Sequence, residues 1–169
     1  MNALEKLKEG NRFCVLHGDA ARRECTAKNG QHPYAIVICC SDSRVIPEQI
    51  FHAGIGDLFV IRVAGNVLDG QQLGGIEYAA EHLGCKCVLM LGHTGCGAVA
   101  AALSGHAEGF VSLITDEIRA AIGMETDPGA ACRKNVLHSV ERIRNAFPHA
   151  ELTVIGAVYD IASGAVEWL

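Results

Sequence analysis

Four continuous apolar runs, over residues 34–40, 58–63, 87–91 and 152–158, constrain the fold of this chain more than any other feature. Each has the length of a strand and is rich in Val, Ile or Leu, without the polar alternation of a half-exposed sheet. Strands buried on both faces have this composition. Helical patterns over 47–51, 74–83, 97–103, 110–122 and 131–147 lie between and around them. Such alternation implies a parallel sheet with crossover helices. A last short segment, 166–169, follows the turn signal Ser163-Gly164 and is expected to pair antiparallel with the strand before it. The expected fold is therefore α/β: a mostly parallel four-stranded sheet, an antiparallel C-terminal edge strand, and helices on both faces. The N-terminal segment 1–13 reads as a polar amphipathic helix with Leu4, Leu7 and Phe13 on one side. Neither a repeat nor a linker interrupts the pattern, and residues 1–169 are expected to form a single domain.

Half of the residues are apolar and a fifth are charged, which excludes a disordered chain. Fourteen Lys and Arg against nineteen Asp and Glu give a formal charge of -5. Basic residues do not cluster beyond short pairs such as Arg22-Arg23, so nucleic acid is not an expected partner. No secretion signal is visible in the first residues and none is expected, and Gly, His or charged residues interrupt every stretch that could span a bilayer. The expected location is the cytoplasm, with no membrane partner. In that compartment the eight cysteines should be reduced, as metal ligands, nucleophiles or small buried hydrophobes.

Two stretches carry chemistry. In ICCSDSRV, residues 38–45, an apolar run ends by presenting Cys40, Asp42 and Arg44 together; in LGHTGCGAV, residues 91–99, a second run ends in His93 and Cys96. Functional groups of open α/β sheets gather beyond the carboxyl ends of the strands. If the first and third strands are neighbours, Cys40, His93 and Cys96 converge. Two thiolates and an imidazole form a soft set suited to tetrahedral zinc, and three protein ligands leave a fourth position open, as in catalytic sites. Gly95 and Gly97 flank Cys96 with residues that permit close backbone approach and strained turns. Any one of these residues alone is more readily a buried thiol or a core histidine, and Asp42 with Arg44 could be a structural ion pair. The joint pattern favours the metal. Two competing readings remain: a hydrolase with Cys96 as nucleophile, although Thr94 breaks the Gly-x-Cys-x-Gly elbow, and a zinc-binding protein without catalysis.

At these residues the chain resembles the β-class carbonic anhydrases, whose signature is Cys-x-Asp-x-Arg followed by His-x-x-Cys. Cys40-Ser41-Asp42-Ser43-Arg44 and His93-Thr94-Gly95-Cys96 fit it. The likeness extends through Gly56 to Phe59, Arg62, Ala64-Gly65-Asn66, Ile76 to Ala79, and Tyr159-Asp160 to Gly164. It implies reversible hydration of carbon dioxide to bicarbonate and a proton by zinc-bound hydroxide. One Zn2+ per chain would sit on Cys40, His93 and Cys96, and Asp42, held by Arg44, would orient the nucleophile. Relatives on this scaffold also hydrolyse carbon disulfide or carbonyl sulfide, an alternative substrate class. The resemblance further implies a homodimer or higher even oligomer. Its plant-like subtype places Gln31, Phe59, Tyr78 and Gly97 at the substrate, Tyr78 coming from the partner. Val37 stands where the other subtype has a tryptophan that supports a bicarbonate switch, so Asp42 is expected to stay off the metal.

The remaining cysteines read as inert. Cys39 alternates with Cys40 and should face the opposite side of the sheet. Cys85 and Cys87 lack a second pair, and Cys14, Cys25 and Cys132 read as core or surface thiols. His17, His32, His52, His82, His106, His138 and His149 read as solvated or core residues, one of which could serve as a proton shuttle.

Overall fold

The computed structural model describes residues 1–105 and 107–169. The chain divides into two compact units, Met1–Gln31 and His32–Leu169. The first contains α1 (Ala3–His17) and α2 (Ala20–Asn29). Asn2 and Glu5 form a reciprocal capping box at the start of α1, and the Asp19 carboxylate caps α2 by accepting from the Arg22 N–H. The Arg23 guanidinium donates to the Cys14 and Val15 carbonyls, tying α2 to the end of α1. None of the described residues of α1 or α2 is buried, and Leu4, Leu7 and Phe13 are all exposed.

The second unit is built on five strands, β1 (Ala35–Cys39), β2 (Leu58–Arg62), β3 (Cys87–His93), β4 (Thr153–Tyr159) and β5 (Val166–Trp168), in the order β2-β1-β3-β4-β5. The first four are parallel and β5 runs antiparallel to β4, as the sequence implied. Its helices are α3 (Pro47–Ile50), α4 (Gly70–His82), α5 (Gly97–Ser104), α6 (Val111–Ile122) and α7 (Pro128–Ala146). Among the described residues, no helix is long and apolar enough to cross a membrane.

Alternation along the strands separates two cores. Ile36, Ile38, Val88 and Met90 pack with Ile76 and Ala79 of α4 and with Val136, Val140 and Ile143 of α7. Val37, Cys39, Leu89 and Leu91 point to the other face, toward Val45 and Ile50. A third cluster, in which Val99 and Ala102 of α5 meet Ile118 and Ile122 of α6, includes Cys40 and Cys96. Cys39 and Cys40 thus belong to different cores, as their alternation required.

Two glycines let α7 lie close on the sheet. A Cβ at Gly92 would stand 2.6 Å from Val136 Cγ2, and one at Gly156 would stand 2.9 Å from Val136 Cγ1. Real carbon atoms do not approach so closely, so any side chain at Gly92 must push α7 outward or distort β3. Gly92→Ala is expected to destabilise the protein by about 1–3 kcal/mol, the usual cost of overpacking a filled core. Thermal and denaturant unfolding would measure it, and an unchanged midpoint would show that the α7 contact is slack.

Candidate metal centre

The β1–β3 register decides where the two motifs end. Cys39 pairs with Leu91, so Cys40 leaves the sheet one residue beyond that pair and His93 is the last residue of β3. Cys96 follows after a turn in which Gly95 adopts φ 65, a left-handed conformation that favours glycine, and it stands at the N-cap of α5. Gly97 has no such conformation, and open space surrounds the position of its absent Cβ. Of the two flanking glycines, the turn requires only Gly95.

One ligand atom each from Cys40, His93 and Cys96 lies within 4.8 Å of the others, and all three residues are buried. His93 Nδ1 is 2.9 Å from the Thr94 carbonyl oxygen. A carbonyl can only accept, so Nδ1 carries the proton and Nε2 presents its lone pair. That Nε2 is buried and, among the described residues, has no hydrogen-bond partner. A bare imidazole nitrogen beside two sulfurs, with its tautomer set by the opposite nitrogen, is the arrangement of a metal ligand. The soft N/S donor set fits zinc.

The three donors also perturb one another. The Cys96 thiol hydrogen-bonds to Cys40, which holds Cys40 well below the ordinary thiol range and pushes Cys96 above it. Burial works against ionisation of Cys40, whereas His93 and the N–H groups of Asp42 and Gly65 favour it. These N–H groups lie 3.4 and 3.3 Å from the Cys40 sulfur. The N–H groups of Ala98 and Val99, in the first turn of α5, oppose the rise at Cys96. Burial alone would lower the His93 pKa, but the neighbouring Cys40 sulfur, with the Thr94 carbonyl and Asp42, produces a net rise.

Beside the cluster, Arg44 grips Asp42 side-on, with Nε 2.9 Å from Oδ1 and Nη2 2.7 Å from Oδ2; the Arg44 N–H adds a third bond to Oδ1 at 3.0 Å. Arg44 Nη2 also lies 3.4 Å from the Gly95 carbonyl and so links the two motif loops. Arg62, at the end of β2, donates to the Cys40 and Asp42 carbonyls at 3.2 and 2.7 Å. The Asp42 carboxyl is held far below the usual carboxylate range, chiefly by the Arg44 side chain and N–H.

The carbonic anhydrase family profile matches residues 35–166. The chain belongs to the β-class carbonic anhydrases. A carbonic anhydrase of Mycolicibacterium smegmatis is 34% identical over 187 residues, covering 98% of this chain and 91% of that protein. The crystal structure of the β-carbonic anhydrase CafA of Aspergillus fumigatus matches with TM-score 0.81 and 30% identity, covering 99% of this chain and 88% of the other. The Coccomyxa β-carbonic anhydrase solved with acetazolamide matches with TM-score 0.78 and 30% identity, over 100% and 87% of the two chains.

The remaining expected site residues are distributed over other elements. Phe59 is in β2, three residues before Arg62 and hence about 10 Å back from the metal end of the sheet at strand rise. It packs against Tyr78 of α4 at 6.1 Å between ring centroids, and Tyr78 is half exposed. Gln31 is the exposed last residue of the N-terminal unit. A cavity of about 290 Å³ opens beside His93, Cys96, Val99, Cys132 and Arg133, and neither Phe59, Tyr78 nor Asp42 lines it. His17, His32, His52, His82 and His149 are exposed and His138 is half-buried; His106 lies outside the described residues. Cys132, expected to be inert, is buried with its Sγ donating to the His93 carbonyl at 3.3 Å, which supports the ligand strand from behind. Its spacing carried no signal of that role.

A depressed carboxylate pKa has a defined consequence for acid stability. Its contribution is complete above the unfolded value of about 3.9 and is lost as pH falls through the lower folded value. Lys at position 44 cannot reproduce the side-on fork. In Arg44→Lys, the Asp42 titration should move up toward the ordinary range, and acid destabilisation should begin at higher pH. Carboxyl carbon NMR together with unfolding across the acid range would test this, and an unmoved Asp42 titration would refute the pairing as its cause.

Proposed function

We propose that this enzyme catalyses the reversible hydration of carbon dioxide to bicarbonate and a proton, with one zinc ion per chain held by Cys40, His93 and Cys96. The observation that carries this reading is the buried convergence of those three donors, with His93 Nε2 bare, beside the Asp42–Arg44 pair. Bound zinc would supply Lewis acidity toward a water molecule, bringing its loss of a proton toward neutral pH.

The chain's own residues do the orienting. Because Arg44 keeps Asp42 ionised, its carboxylate is a weak base that only accepts hydrogen bonds. Its role is to hold a hydroxyl group in one orientation, so that a lone pair faces the carbon of carbon dioxide. The Asp42–Arg44 pairing and Val37, which is buried among Cys39, Val45 and Leu89, support the plant-like subtype, with Asp42 off the metal. Gln31 would donate its amide to the substrate oxygen that gains charge on attack. Phe59, Tyr78 and Gly97 would complete the substrate pocket in an assembly of at least two chains. The exposed apolar side chains of α1, and the distance of Phe59 from the metal end, support such an assembly. Two related β-carbonic anhydrases of Sordaria macrospora are tetrameric. Eight free cysteines fit a reducing compartment, and we place the enzyme in the cytoplasm.

Metal analysis should find one zinc per chain, and stopped-flow hydration of carbon dioxide should be rapid and lost on chelation. Cys96→Ser should lose both metal and activity. Retained hydration without zinc, or sulfide release from carbonyl sulfide in place of hydration, would overturn the proposal.

Gln31→Ala should lower kcat/KM by up to about 100-fold, the usual cost of losing one donor aimed at developing negative charge, and by less where water substitutes. Zinc content and Tm should stay at wild-type values. Unchanged hydration would remove Gln31 from the site; loss of zinc would give it a structural role.

A further inference from the structure

We infer that Asn135 is a positioning residue for the metal centre: its buried amide holds the Gly65 turn so that the Gly65 N–H meets the Cys40 sulfur. The inference rests on the reading of Cys40 as a metal ligand.

Asn135 lies on the buried stripe of α7, with Ala131, Cys132, Val136, Ser139, Val140 and Ile143, and is only 2% exposed. An asparagine is a poor helix former, and burying its amide is costly unless it finds a hydrogen-bond partner. The partner is distant in sequence: Asn135 Nδ2 donates to the Gly65 carbonyl at 2.9 Å.

Gly65 is a demanding position to hold. It has φ 69 and ψ 12, and a Cβ there would stand 2.8 Å from Ile118 Cδ1 and 2.9 Å from the Ala98 Cβ. The next residue, Asn66, also has positive φ, at 45°. Consecutive left-handed residues persist only where their surroundings enforce them. On one side the Asn66 N–H bonds to the Val63 carbonyl at 3.0 Å; on the other, Asn135 fixes the Gly65 carbonyl. The product of this restraint is the Gly65 N–H, 3.3 Å from Cys40 Sγ. An N–H aimed at a ligand sulfur stabilises the negative charge it carries and fixes its orientation, as outer groups around metal sites do. Freed from Asn135, the Gly65–Asn66 peptide can rotate, Gly65 relaxes from its left-handed conformation, and the preceding Ala64–Gly65 peptide carries its N–H away from the sulfur.

Outer residues of a metal site act on affinity and on the electronic state of the ligand, so both are the readouts. Zinc affinity is measured by competition with a chromophoric chelator, and the sulfur-to-metal charge-transfer band by cobalt substitution. Melting of the metal-free protein reports stability separately. Asn135→Leu, close in shape, should weaken zinc binding about ten-fold, the lower end for outer-shell changes, and shift the cobalt band. Ser139→Ala, one turn along the same buried stripe, should leave both unchanged whatever it does to melting. If Asn135→Leu does not fold, Asn135→Ala is read by the same two measurements, with the same expectation. Wild-type affinity and band in the folded Asn135 variant would overturn the inference, as would an equal loss in Ser139→Ala. Wild-type protein that takes up neither zinc nor cobalt would instead overturn the proposed function, and the inference with it.

Discussion

Parallel pairing of β1 with β3 is the constraint on which the site depends. Parallel strands end at the same edge of the sheet, so two motifs separated by β2 and α4 in sequence emerge side by side. Cys40 lies one residue and His93 two residues beyond the Cys39–Leu91 pair. A change of register by one residue would turn Cys40 to the face now occupied by Cys39 and separate the donors. Gly95 then reverses the chain quickly enough for Cys96 to return to the cluster from the start of α5. The convergence of the three donors is thus a consequence of strand order.

Burying two sulfurs that must ionise is unfavourable by itself, and the structure offsets it with donors from several elements. Asp42 and Gly65 direct N–H groups at Cys40, and Arg62 clamps the carbonyls of the loop that carries it. The sheet-facing side of α7 adds Cys132 behind His93 and Asn135 behind Gly65. These contacts exist because α7 can lie close to the sheet, which Gly92 and Gly156 permit. Packing and chemistry are therefore coupled: the helix that closes the hydrophobic core also orients the polar groups around the cluster.

The strands were legible in the sequence because fully buried parallel strands are nearly unbroken apolar runs. Their ends were not. β3 continues through Gly92 and His93, neither a residue of an apolar run, because the β4 ladder pairs them with Val158 and Tyr159. α4 begins at Gly70, ahead of the expected 74, since Asp69 and Gln72 form a capping box; α7 begins at Pro128 because Asp127 caps it. α2 was not legible in the sequence at all. Its sequence, AARRECTAKN, has no apolar stripe, and none of its described residues is buried, so no periodic signal marked it.

Residue type and spacing were enough to single out Cys40, His93 and Cys96 as a candidate metal set, with Asp42 and Arg44 as a pair beside it. Ligand chemistry depends on softness and on local order along the chain, and both can be read in one dimension. Asn135, Cys132 and the Arg62 clamp could not be assigned that way. An asparagine on an apolar stripe marks only a buried amide in need of a partner, and its partner lies 70 residues away across the core. Only the folded chain decided that the partner is the Gly65 carbonyl, because hydrogen bonds between distant segments follow from how helices and strands pack, which residue spacing does not encode.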